Sequence, residues 1–167
     1  MTNDGPLTHL NERGDARMVD VTQKEITTRS ATARCRVTVS REVAALLRTG
    51  GLPKGDALAV ARIAAIQATK RTADLIPLCH PIAIHGVDVD VHVLADSADD
   101  AGGAVEVLVT VRTADRTGVE MEALTAAAVG GLTVIDMVKG RDRSAAIAEV
   151  TLLEKLGGRS GHWVREP

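Results

Sequence analysis

Valine at every second position, in two successive runs, constrains this chain more than any other feature. In "IHGVDVDVHVL" (84–94) His85, Val87, Val89, Val91 and Val93 alternate with Gly86, Asp88, Asp90 and His92, and in "AVEVLVTVRT" (104–113) Val105, Val107, Val109 and Val111 alternate with Glu106, Leu108, Thr110 and Arg112. Successive side chains of a strand leave opposite faces, so this period predicts two half-buried strands. The acidic turn "ADSADDAGG" between them makes an antiparallel hairpin. A third run, "ATARCRVTV", sets Ala31, Ala33, Cys35, Val37 and Val39 against Thr32, Arg34, Arg36 and Thr38. Three strands with one apolar row each need an apolar layer to cover them.

The remaining segments supply that layer. Ser40 reads as the N-cap of a short helix, "REVAALLR", stopped by Gly50 and Gly51. Asp56 reads as the N-cap of a second helix reaching about Arg71, and Thr117 as the N-cap of a long one through "GVEMEALTAAAVGGLTVIDMVK". A last strand, "IAEVTLL", ends near Gly157. The order β-α-α-β-β-α-β predicts an α+β fold, a ferredoxin-like split βαβ arrangement with a four-stranded antiparallel sheet and helices on one face.

At 167 residues, 45% apolar and 25% charged, the chain suits one soluble domain. Residues 1–15 are polar and turn-rich and are expected to be flexible, leaving 16–167 as the domain. Trp163 is the one aromatic residue, so the core is built from aliphatic side chains and stacking platforms for single-stranded nucleic acid are missing. A net charge of −2 also lacks the electrostatic footprint of a DNA or RNA binder. No apolar run approaches the roughly 18 residues of a membrane span, and "MTNDGPLTHL" does not read as a signal peptide. No membrane partner and a cytoplasmic location are expected. Cys35 and Cys79 are then free thiols.

The candidate chemistry lies at few places. In "DLIPLCHP" (74–81) Cys79 and His80 stand between two prolines. The histidines, His9, His80, His85, His92 and His162, lack metal-site spacing, and His85 and His92 leave opposite faces of one strand, so no metal is expected. Adjacent Cys and His do not aim at one another as a nucleophile and its base must, so the pair reads as a stiff ligand-binding edge. Lys54 in "PKGD" precedes a helix N-terminus, where an anion finds positive charge and free amides, although a solvated turn lysine reads the same way. Asp136 and Lys139, spaced i, i+3 at the end of the long helix, form either a surface ion pair or an acid/base couple in which partial desolvation loosens the lysine's proton. Glu120 and Glu122 occupy that helix's first turn, where the dipole favours carboxylates in any case. Glu120 and Lys139 are nineteen positions apart, roughly 28 Å of continuous helix, too far for one small-molecule pocket. Either one end is structural or a second subunit completes the site. The small residues "TAAAVGG" suit close helix packing in such a symmetric oligomer.

Five blocks, "KGD", "ARIAAIQATKRTADLIPLCHP", "TGVEMEALTAA", "DMVK" and the glycine tail "LGGRSGHW", are in register with one family over most of the chain. The sequence resembles the cyclic pyranopterin monophosphate synthase family, molybdenum cofactor biosynthesis protein C. The resemblance implies a ferredoxin-like homohexamer, a trimer of dimers, with active sites at subunit interfaces. Its implied reaction converts (8S)-3′,8-cyclo-7,8-dihydroguanosine 5′-triphosphate to cyclic pyranopterin monophosphate with release of pyrophosphate. By position, Lys54, Asp136 and Lys139 are implied to be catalytic, and Leu78, Cys79, His80, Glu120, Met121 and Glu122 to contact substrate. Lys70 and Arg71, with Arg141 and Arg143, supply charge for the triphosphate. No cofactor is implied, magnesium entering only as a triphosphate counterion. Arg159 stands where lysine is the family's form, keeping the charge with a different donor geometry. A non-catalytic binding module and a metal-dependent hydrolase are the rival classes. Pyrophosphate release distinguishes the first, and loss of activity in chelator the second.

Overall fold

The computed structural model describes residues 10–11, 13–94, 102–158 and 161–166. Along the chain it has β1 (Thr27–Val39), α1 (Arg41–Thr49), α2 (Ala57–Thr69), α3 (Thr72–Leu75), β2 (Gly86–Val93), β3 (Gly103–Asp115), α4 (Glu120–Val138), β4 (Ala146–Leu156) and β5 (Trp163–Val164). One antiparallel sheet runs in the order β2-β3-β1-β4-β5. Its first four strands have the predicted split βαβ connectivity, with helices packed on one face.

The alternating rows produce the core directly. Ala33, Cys35 and Val37 of β1 and Val105, Val107, Val109 and Val111 of β3 are all at 0% exposure. β1 and β3 pair from Thr27↔Asp115 to Val39↔Gly103 without a shift, so every inward residue of one lies opposite an inward residue of the other. The opposite face carries Arg34, held by Glu149 at 2.8 Å, and the Thr32–Thr110 hydroxyl pair.

A core without phenylalanine or tyrosine closes only if the helices come near the sheet. A Cβ on Gly131 would lie 2.4 Å from Cys35 Sγ, and one on Gly130 would lie 2.8 Å from Val107 Cγ1. The glycine pair of α4 therefore meets the sheet of its own chain, which is where the small-residue stripe is used; Ala65 of α2 also touches Gly130. By length and composition α4 could cross a membrane, contrary to the expectation that no run approaches that length. Half of it is buried, with Ala123, Ala126, Ala127, Val134 and Val138 at 0% exposure, which makes it the core helix of this domain.

Several boundaries depart from the sequence reading. Thr117 is not the N-cap of α4: the helix begins at Glu120 after Val119, without a side-chain cap, because Val119 is itself buried in the core. The second helix ends at Thr69, and after Lys70 and Arg71 the chain makes the short α3. His85 precedes β2 and accepts a hydrogen bond from the Ala114 amide on Nδ1 (3.0 Å) instead of joining the valine row. The sheet has a fifth strand where four were predicted. β5 is too short to show a period, and is held by Arg165 N donating to Leu153 O and Arg165 Nε to Leu152 O, each at 2.8 Å. Residues 1–9 of the expected flexible segment, including His9, the acidic turn at 95–101 and Arg159 lie outside the described residues.

Candidate active site

The two ends of α4 carry two different groupings. At the C-terminal end, Asp136 lies between two lysines: Lys139 Nζ is 2.6 Å from Oδ1, and Lys54 Nζ is 3.5 Å from Oδ2 and donates to the Asp136 carbonyl at 2.8 Å. Lys54 is 82 positions from Asp136 along the chain. It is delivered by a turn in which Gly55 is left-handed (φ 89°) and bonds back to Leu52 O, the buried Leu52 side chain holding the loop against the core. Asp56, one residue on, caps α2 by accepting from Ala59 N. The hydrogen bond from Lys139, then its charge, then that of Lys54 hold the Asp136 carboxyl below the ordinary carboxylate range. The Lys54 and Lys139 side chains are 47% and 61% exposed. The desolvation invoked for an acid/base lysine is therefore not supplied by this chain's own residues.

At the N-terminal end an open pocket of about 470 Å³ gathers Leu78, Cys79, His80, Glu120, Met121 and Glu122, the residues assigned to substrate binding other than Lys70 and Arg71. The proline-stiffened loop enters it through a turn in which Cys79 N bonds Ile76 O. His80 Nε2 donates to the Val19 carbonyl at 2.7 Å, which fixes the ring against the opposite wall. The Glu120 carboxylate folds back over Gly118, so a side chain at 118 would make it turn away.

Burial governs protonation in this pocket. Glu122 is 4% exposed, and desolvation, with the charge of Glu120 adding to it against a backbone hydrogen bond, raises its carboxyl to about 7. The Cys79 thiol is also raised, first by burial and then by Glu122. A thiol pushed upward is a poor source of thiolate, so the environment opposes a nucleophilic role for Cys79.

Lys70 and Arg71 do not enter this pocket. Lys70 borders a cavity of about 120 Å³ behind His80 and Glu122, shared with Thr69, Thr72 and Asp74. Arg71 pairs with Asp74 at 3.4 Å on the surface, and Arg141 lies 4.0 Å from Glu42. The far wall was not singled out from sequence. Asp20 and Lys24 line the pocket, Asp20 accepting from Thr22 N and Oγ1 in a local turn and Lys24 held through its carbonyl by Arg116 Nε at 2.9 Å. The legible signal was the Asp-x-Thr turn pattern in "DVTQK". Among the described residues no group of three or more His, Cys, Asp and Glu is placed to hold a metal ion. His85 precedes β2, whereas His92 lies near its far end, 3.4 Å from Glu106.

The helix runs unbroken from Glu120 to Val138, so within one chain Glu122 and Asp136 stay roughly 21 Å apart and Glu120 and Lys139 roughly 28 Å. The MoaC family model matches residues 18–158, a span that contains both of them. Among similar proteins, the cyclic pyranopterin monophosphate synthase of Streptomyces avermitilis is 60% identical over 159 residues, covering 95% of this chain and 89% of that protein. The synthase of a Nocardioides species is 55% identical, covering 95% of each chain, and that of Heliobacterium modesticaldum 50% identical, covering 96% of this chain and 98% of that one. With a matching family model over most of its length and relatives this similar along nearly their whole length, the chain belongs to the MoaC family and is an enzyme of molybdenum cofactor biosynthesis.

Proposed function

We propose that the protein converts (8S)-3′,8-cyclo-7,8-dihydroguanosine 5′-triphosphate to cyclic pyranopterin monophosphate and pyrophosphate, with proton transfers handled by Lys139 and Lys54 around Asp136. The observation that carries this reading is the carboxylate held between two lysines, 2.6 Å and 3.5 Å away, one of them brought from 82 positions along the chain. Rearranging the guanine-derived base needs protons delivered to and taken from nitrogen. Closing the cyclic phosphate needs a hydroxyl to lose its proton and attack the α-phosphorus as the bond to the β-phosphate breaks. A paired ammonium donates a proton and stabilises departing pyrophosphate, and its amine form accepts one. Lys139 is assigned as the acid/base group oriented by Asp136, and Lys54 as a second acid/base group or phosphate clamp.

The pocket at the other end of α4 suits the base of such a substrate, because a buried, half-protonated Glu122 both donates and accepts hydrogen bonds. A single substrate cannot span the roughly 28 Å between the ends, so the site is proposed to be composite, the pocket of one copy meeting the lysines of another in a cytoplasmic homohexamer. Exposed apolar side chains on the outer faces of α2 and α4, Val60, Ile63 and Leu132, support a covered interface. Burial there would supply the desolvation that Lys54 and Lys139 lack in the lone chain. Magnesium is assigned no role beyond neutralising the triphosphate, and Lys70 and Arg71 a supporting electrostatic one.

The test is pyrophosphate release by the purified chain from the cyclic triphosphate, in parallel with Lys139→Ala and Asp136→Asn and with excess chelator. The reading predicts release that persists in chelator and collapses in both variants. Turnover by the variants near the unaltered rate would refute the assignment. Mixing a Lys139→Ala chain with a Glu122→Ala chain tests composition: composite sites regain activity in mixed assemblies, and single-chain sites do not.

A further inference from the structure

Asp142 is a buried carboxylate outside the groups just described. It is 6% exposed, yet among the described residues no lysine or arginine pairs with it. Its charge is satisfied by hydrogen bonds: Oδ2 accepts from the Ser40 amide at 2.6 Å, and Oδ1 from the Ser144 amide at 2.9 Å and the Ser144 hydroxyl at 2.6 Å. These bonds hold the carboxyl below its ordinary range, Ser144 contributing most.

The two segments that meet at this carboxylate are the ones that deliver the lysines. Asp142 lies in the turn closing α4, where its own amide and that of Arg141 both bond Val138 O, one residue before Lys139. Ser40 lies 102 positions away and is the N-cap of α1, its Oγ accepting from Val43 N at 3.3 Å. From that cap the chain runs through α1 and the buried Leu52 to Lys54. One carboxylate thus ties the origin of the Lys54 segment to the end of the helix that carries Asp136 and Lys139. The lysines are largely exposed, so the surrounding atoms do not confine them; the backbones that bear them must be held instead.

We propose that Asp142 is a positioning residue, which sets the separation of Lys54, Asp136 and Lys139 by clasping the end of α4 to the N-cap of α1. The proposal rests on the assignment of those three residues to the chemistry. An asparagine at 142 keeps one acceptor oxygen and leaves either Ser40 N or the Ser144 pair without its partner; an alanine leaves both. Misplacing reacting groups by an ångström costs up to about a hundredfold in rate.

The experiment measures kcat, KM and the pH profile of kcat for the full chain and for Asp142→Ala, Asp142→Asn, Lys139→Ala and Val43→Ala, at a temperature where circular dichroism shows each folded. Val43 is fully buried on α1, the helix that Ser40 caps, and truncating its side chain loosens packing there while removing none of the bonds to Asp142, so its variant reports on general loosening. Asp142→Ala is expected to lose about tenfold or more in kcat with KM little changed, and to shift the pH profile. Asp142→Asn should be intermediate, and Val43→Ala should keep the unaltered kcat and profile. Unaltered kcat and profile in folded Asp142→Ala overturns the proposal, as does a parallel loss in Val43→Ala. If Asp142→Ala does not fold, Asp142→Asn decides by the same criteria. Lys139→Ala separates the two layers: if it turns over normally the catalytic assignment itself fails, whereas if it is inactive while the Asp142 variants are normal, only the clasp fails.

Discussion

The two ends of α4 treat the same functional group in opposite ways. Glu122, in the first turn, is sealed among Cys79, His80 and the walls of a pocket, and burial raises its carboxyl to about 7. Asp136, in the last turns, stands in solvent beside two ammonium groups, and they lower it. Desolvation acts on the charged form alone, while neighbouring cations stabilise it, so carboxylates on one helix become a hydrogen-bonding acid at one end and a permanent anion at the other. The opposite shifts of the two carboxyls on this helix follow from burial at one end and from neighbouring lysines at the other.

The sharpest break of this comparison is Lys139→Ala, for which kcat is expected to fall by about a hundredfold to ten-thousandfold, the usual share of a general acid/base group. Steady-state pyrophosphate release measures it, and a KM change without a kcat change would move Lys139 from chemistry to binding.

Next in size is the pH dependence of stability. A carboxyl at about 7 in the fold against 4.5 ordinarily binds more protons folded than unfolded between those values, so its contribution declines as pH rises from 4.5 to 7 and then levels. The ionised, buried Glu122 costs about 3 kcal/mol at pH 8 relative to pH 4 by this linkage. Glu122→Gln should remove that slope, gaining stability relative to the unaltered chain as pH rises, measured by urea unfolding at several pH values. Asp136 has the reverse sign: its lowered carboxyl contributes above its ordinary value of 3.8, and that contribution is lost as pH falls through the lowered one.

Between the two ends, Gly131→Ala should destabilise by about 1–3 kcal/mol through overpacking, because its new methyl meets Cys35 Sγ at 2.4 Å. Cys35→Ala in the same chain should recover part of that loss in thermal unfolding, and no recovery would mean that α4 is seated by contacts elsewhere. The smallest effect is expected at Cys79→Ser, a few-fold rise in KM with kcat nearly unchanged, since a thiol held in its neutral form binds more than it reacts. Complete loss of turnover with intact binding would return the nucleophile to consideration.

Legibility followed the range of the interaction. The inward rows of β1 and β3 and the caps at Ser40 and Asp56 were readable because they depend on neighbours within a few residues. The start of α4 was misread at Thr117, where a good capping residue lost to the burial of Val119 two positions on. α3 and β5 escaped because four and two residues carry no period. In the site, the pocket residues of "PLCHP" and "VEMEAL" were named, whereas Asp20 and Lys24 were not, since their wall is built by a turn whose function appears only once His80 reaches Val19.

By itself the sequence determined that a sheet with an aliphatic inner face would be covered by helices on that face, and that Glu120 and Lys139 would stand at opposite ends of one helix. Period and rise per residue are properties of the local backbone. Only the tertiary structure decided that Lys54 reaches Asp136 across 82 positions, that Gly131 closes onto Cys35 and that burial raises the Glu122 carboxyl to about 7. Each of these depends on which distant segments exclude water from one another, a quantity that no single stretch of the chain contains.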